Sequence, residues 1–100
     1  LHVTDASNAS RTSLLDLEQR AWDADLLELF GVPREILPAV CATSGVLGEV
    51  RAPGELSGIP IAALVGDQQA ALHGQACFTP GLAKNTYGTG CFLLLQTGPE

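Results

Sequence analysis

The 100-residue sequence contains no methionine, only five lysines and arginines against eleven acidic residues, and no apolar run of membrane-spanning length. The scarcity of cations in a chain of net charge −6 excludes nucleic acid as a partner, because binding a phosphate backbone requires clustered Lys and Arg. For the same reason, any phosphate must be held by backbone amides, hydroxyls and a metal ion. The longest apolar stretch, Ile59 to Val65, is interrupted by Pro60 and falls far short of the roughly 20 residues that span a bilayer. Neither membrane insertion nor a signal peptide is expected. Cysteine is sparse and odd in number: Cys41, Cys77 and Cys91 show no metal-ligand spacing and sit in largely apolar surroundings. That pattern suits reduced, packed thiols and points to the cytoplasm. The missing Met, the start at Leu1-His2-Val3-Thr4 and the stop at Pro99-Glu100 after the apolar run Phe92 to Leu95 lead us to expect a piece of a longer protein.

What is present is ordinary globular composition, 46% hydrophobic and 16% charged, so disorder is not expected. Residues 4 to 12 are almost entirely small or hydrogen-bonding and read as a structured loop with Asx-type turns. A strand-like run, Ser13 to Leu17, follows. Trp22, Leu26, Leu29 and Phe30 fall on one stripe of an amphipathic helix, with Asp23 as cap, Trp22 stapled onto Leu27, and Gly31 and Pro33 at its end. Residues 40 to 50 read as short strands with turns at Gly45 and Gly48, and Ala52 to Gly58 as an exposed loop. Ile59 to Val65 predicts a strand buried on both faces of an α/β sheet, broken by Gly66. A helix rich in small residues then runs from Asp67 to about Cys77. After a break at Phe78-Thr79-Pro80-Gly81, two strands, Leu82 to Tyr87 and Cys91 to Leu95, are joined by the hairpin turn Gly88-Thr89-Gly90.

Two segments carry the chemistry. In Gly66-Asp67-Gln68-Gln69 a carboxylate stands where a strand meets a helix, the place at which open α/β sheets hold ligands. Asp67 there is either a helix cap or a group that accepts a proton from an attacking alcohol, or that orients the alcohol and coordinates magnesium. Gln68, a good helix former in any case, offers both a donor and an acceptor to a polyol hydroxyl, and Gln69 supports it. In Gly88-Thr89-Gly90 the glycines let the backbone approach a phosphate, and the Thr89 hydroxyl adds a donor, although a lone Gly-x-Gly also occurs in many hairpins. Together the segments suggest transfer of a phosphoryl group to an alcohol. His73 lacks partners at catalytic spacing, and Lys84 reads as a solvated strand charge.

At these residues the chain resembles a known family. Gly66-Asp67-Gln68-Gln69-Ala70-Ala71-Leu72, and Ala83-Lys84-Asn85-Thr86-Tyr87-Gly88-Thr89-Gly90-Cys91-Phe92, closely resemble the FGGY carbohydrate kinases, and within them the members that phosphorylate glycerol. Thr4-Asp5, Asn8 to Thr12 and Pro33 to Pro38 resemble earlier segments of the same proteins, so the similarity covers essentially the whole chain. The resemblance implies an α/β, ribonuclease-H-like architecture of the actin-like ATPases, with ATP and glycerol bound between two domains. Residues 1–77 would end the first, glycerol-binding domain and residues 78–100 would begin the second, nucleotide-binding one. It further implies Asp67 as catalytic base and Mg2+ ligand, Asp67 and Gln68 as glycerol contacts, and Thr89, flanked by Gly88 and Gly90, as a contact to the ATP phosphates. The intact enzyme would be a homo-oligomer, and the 100 residues alone would be inactive.

Two alternatives stand beside this reading. One is another FGGY sugar kinase acting on a pentulose or gluconate, although Gln68 directly after Asp67 resembles the glycerol enzymes more. The other is a non-enzymatic actin-like nucleotide-binding protein, which would keep the Gly-Thr-Gly turn but need no Asp-Gln pair. Relatives inhibited by fructose 1,6-bisphosphate carry a Gly-rich loop ending in Arg before the Asp-containing strand. Here Gly58 stands where that Arg would be, which implies insensitivity to this effector through the loop.

Overall fold

In the computed structural model, which describes residues 1–99, short strands alternate with short helices, and each strand pairs with one partner only. The described residues form four two-stranded sheets in a mixed α/β arrangement. The chain divides into two compact units, Leu1–Val65 and a second starting at Gly66.

In the first unit β1 (Val3–Asp5) runs parallel to β4 (Ala39–Cys41), with Thr4 opposite Val40. The polar segment after Val3, expected as loop, instead completes β1, then forms the short helix α1 (Ala6–Ala9) and a 3-10 turn at Ser10–Thr12. The cause is Asp5: its side chain accepts from the backbone N–H groups of Ser7 and Asn8, an Asx-type cap that starts a helix. β2 (Leu15–Asp16), inside the expected strand Ser13 to Leu17, pairs antiparallel with β3 (Ala21–Trp22), a strand the sequence reading did not expect.

Helix α2 (Ala24–Phe30) follows, with its N-cap at Asp23, which accepts from Leu26 N at 2.9 Å, and its C-cap at Gly31, where φ of 65° is the left-handed conformation glycine adopts freely. The buried core of the unit is Ala9, Leu15, Trp22 and Leu27, with Leu14, Val32, Leu37 and Val40 packed on it. Trp22 and Leu27 meet there as the expected staple, and the indole N–H donates to Pro38 O at 2.8 Å. The stripe itself needs correction: Leu29 and Phe30 are 75% and 58% exposed. A helix of only seven residues presents one fully buried position, and that position is Leu27.

β5 (Ser44–Glu49) pairs antiparallel with β6 (Pro60–Ala63), with an irregularity between Ser44 and Gly48. Gly45 and Gly48 therefore lie inside a strand and not at turns; Gly45, at φ 140°, marks the irregularity. The expected two-face burial of Ile59 to Val65 is also corrected. β6 is one half of a two-stranded ribbon, a setting that tolerates Pro60, and Ile59 and Val65 are 45% and 40% exposed.

The second unit is simpler. Gly66 caps helix α3 (Asp67–Gly74), which ends one turn earlier than expected. β7 (Ala83–Tyr87) and β8 (Cys91–Leu95) form the expected hairpin in continuous register from Ala83↔Leu95 to Tyr87↔Cys91. Cys77 is buried, whereas Cys91 is exposed, so packing accounts for the former thiol and not the latter; all three cysteines are free.

Candidate functional site

The N-terminus of α3 places Asp67 at the surface with its carboxylate against its own helix. Gly66, extended at φ −64° and ψ 142°, ends the incoming chain, and its carbonyl accepts from Ala70 N at 2.9 Å as the first helical bond. Asp67 is thus the first helical residue, not the cap. Its Oδ1 accepts from Gln68 N at 2.8 Å, and its Oδ2 faces Gln68 Nε2 at 3.4 Å. Unpaired backbone amides at a helix start favour a negative charge there.

Lys84 of β7, expected to be solvated, is instead 2% exposed. Its Nζ donates to Gln68 Oε1 and, at 2.7 Å, to the Thr86 hydroxyl, which lies two residues on along the same face of the strand. A solvated ammonium was expected because Lys is rarely buried unless paired. The burial arises because α3 packs against β7 and β8, on the face that carries Lys84 and Thr86. Asp67, Gln68, Lys84 and Thr86 therefore form one connected polar group. The signal in the sequence was the alternation Lys84, Thr86, which puts both polar groups on one strand face beside the helix-start Gln68.

Thr89 is not part of that group. It sits exposed at the tip of the β7–β8 hairpin, closed by Gly88 N donating to Gly90 O at 3.0 Å. It stands beyond the end of β7, whose three residues after Lys84 alone carry the strand roughly 10 Å away. Neither flanking glycine has a positive φ. A Cβ on Gly90 would stand 2.7 Å from Cε2 of Phe92, so the half-exposed ring would have to shift, whereas a Cβ on Gly88 would meet nothing within 4 Å. The turn thus leaves beside Gly88 an open space that a ligand could fill.

No group of three or more His, Cys, Asp or Glu residues able to hold a metal occurs among the described residues. Among the described residues of the second unit, one exposed carboxylate, Asp67, is offered to a cation. That matches Mg2+, which binds through one or two carboxylates and completes its shell with water and substrate phosphates. His73 is exposed and meets Phe78 in a tilted ring contact, with centroids 5.0 Å apart and the planes at 60°. No helix among the described residues is long and apolar enough to cross a membrane.

Residues 1–74 match the N-terminal domain model of the FGGY family of carbohydrate kinases. The chain is 58% identical over 100 residues to glycerol kinase of Methylobacterium radiotolerans and 58% identical to that of Saccharopolyspora erythraea. In each case it is covered completely and spans 20% of the relative's length. Among solved structures, Plasmodium falciparum glycerol kinase with ADP superposes at a TM-score of 0.85 and 41% identity, covering 93% of this chain and 19% of that one. The α/β, actin-like ATPase fold class is thereby established for the chain.

Proposed function

Because the chain belongs to the FGGY family of carbohydrate kinases, we propose that it is the central part of an enzyme that phosphorylates glycerol to glycerol 3-phosphate with ATP. The observation that carries this reading is the Asp67–Gln68 pair at the start of α3, a carboxylate beside an oriented amide, in a chain similar to glycerol kinases throughout its length. On this reading residues 1–77 end the glycerol-binding domain and residues 78–100 begin the nucleotide-binding one.

Asp67 accepts the proton of the attacking glycerol hydroxyl. That oxygen forms a bond to the γ-phosphorus, and the bond from phosphorus to the bridging oxygen breaks, its electron pair leaving with ADP. Gln68 holds the acceptor. Thr89 contributes its hydroxyl and Gly90 its backbone amide to the phosphates, while Gly88, whose own amide closes the turn, lets a phosphate come close to the backbone. The Asp67 carboxylate would also hold Mg2+, which when bound neutralises charge on the phosphate oxygens.

Free thiols at Cys41, Cys77 and Cys91 support a cytoplasmic setting. The family resemblance alone carries the expectation of a homo-oligomer. Apolar side chains such as Val46 at 75% and Leu93 at 72% exposure support the view that these residues alone are not an active enzyme. The deciding experiment is a coupled assay of ATP consumption by the intact protein with glycerol, xylulose, gluconate or no acceptor. Turnover specific to glycerol is expected, and a preference for either sugar acid or pentulose would redirect the assignment.

A further inference from the structure

The buried ammonium of Lys84 donates to two neutral acceptors, Gln68 Oε1 and Thr86 Oγ1. Burying a cation against neutral groups is costly, so its retention calls for a role. Lysine is a donor only, which means the Gln68 atom it touches must be oxygen and the amide cannot be turned over. Lys84 thus fixes which end of Gln68 faces outward. With Oε1 held, Nε2 is directed to the Asp67 side, where it stands 3.4 Å from Oδ2. One Nε2 hydrogen faces the carboxylate and the second remains for a ligand.

Resting on the proposed glycerol-kinase reading, we propose that Lys84 is a positioning residue that sets the polarity of acceptor recognition. Through Lys84, Gln68 serves as a donor to the substrate oxygen, and the hydroxyl proton is left directed at Asp67. An amide turned the other way would present its oxygen to the acceptor and draw that proton away from the base. Thr86 holds the ammonium from the strand side.

A double-mutant cycle on the intact enzyme tests this, with kcat and both KM values measured for wild type, Lys84→Met, Gln68→Ala and the double variant. Lys84→Met is expected to raise the glycerol KM about three- to tenfold with the ATP KM unchanged, the scale of one hydrogen bond. In the Gln68→Ala background the same substitution should add nothing. Additive effects, or equal rises in both KM values, would overturn the inference.

Gln68→Glu is the second test should Lys84→Met fail to fold, because it keeps an oxygen for Lys84 and removes the outward N–H. Its thermal midpoint should be kept while the glycerol KM rises at least as far as in Gln68→Ala; an unchanged glycerol KM overturns the proposal. If wild type turns over another polyol and not glycerol, the function assignment fails and the same cycle run on that acceptor still decides the role of Lys84. Absence of turnover with every acceptor overturns both.

Discussion

The Thr43 hydroxyl donates to Asp5 Oδ2 at 2.7 Å, tying the segment after β4 to the cap of α1 across 38 positions of sequence. The same fully buried carboxylate accepts from Ser7 N at 3.0 Å, Ser7 Oγ at 2.6 Å, Asn8 N at 3.1 Å and Asn8 Nδ2 at 2.6 Å. Removing Thr43's contribution with Thr43→Val should cost about 1.5–3 kcal/mol, the scale of a hydrogen bond to a charged group. Asp5→Ala, which leaves several donors unpaired and uncaps α1, should cost more, about 2–4 kcal/mol. Denaturant unfolding of the intact protein checks both, and a smaller loss for Asp5→Ala than for Thr43→Val would contradict the network.

That carboxylate also makes stability depend on acid. Burial alone would raise its pKa above the ordinary 3.8, but hydrogen bonds from Ser7, Thr43 and Asn8 outweigh burial and hold it well below. A depressed folded-state pKa gives stability that is complete above 3.8 and is lost as pH falls from there toward the folded value. Asp5→Asn should therefore be less stable than wild type near neutral pH and show a flatter decline in acid. Parallel pH profiles for the two proteins, from unfolding midpoints between about pH 6 and pH 2, would refute the assignment to Asp5.

At the candidate site, Asp67→Ala should lower glycerol phosphorylation about 10²-fold or more, the scale of losing a general base. Gln68→Ala should raise the glycerol KM more than the ATP KM, since a hydrogen bond of about 0.5–1.5 kcal/mol is lost on the acceptor side. Near-normal kcat in the first variant, or an ATP-only effect in the second, would remove these residues from their roles.

Much of this was legible in the sequence. The cap at Asp23, the left-handed Gly31, the Trp22–Leu27 staple and the β7–β8 hairpin all follow from local rules acting within a few residues, and the structure has them. What escaped depends on contacts distant in sequence. Nothing local to Lys84 says that α3 will cover it, and nothing local to Leu29 says that Leu27 alone will be buried. At Asp5 the Asx character was visible, but the capture of Thr43 required β1 and β4 to pair in parallel.

The two glycines of the hairpin turn should behave differently. Gly88→Ala adds a Cβ with open space around it, so the thermal midpoint should be unchanged while the ATP KM rises if a phosphate is to occupy that space. Gly90→Ala pushes on the Phe92 ring and should disturb both stability and nucleotide use. Thr89→Val should weaken ATP use with little change for glycerol. Unaltered ATP kinetics in Gly88→Ala and Thr89→Val together would separate this turn from the nucleotide.

The loop before β6 leads to a last expectation, about regulation. It reads Pro53-Gly54-Glu55-Leu56-Ser57-Gly58, with Ser57 N donating to Gly54 O at 3.1 Å and Ile59 N to Leu56 O at 3.3 Å. Gly54 and Gly58 have φ of 96° and 81°, conformations that side-chain-bearing residues rarely adopt. The turn itself thus favours glycine at the position where inhibited relatives carry arginine, and Glu55 adds repulsion toward a multiply charged phosphate ester. We expect the intact enzyme to be insensitive to fructose 1,6-bisphosphate through this loop. Initial rates with and without the sugar bisphosphate check it: inhibition that disappears when Leu56 to Gly58 are altered, with changes elsewhere having no effect, would show that the loop binds the effector after all.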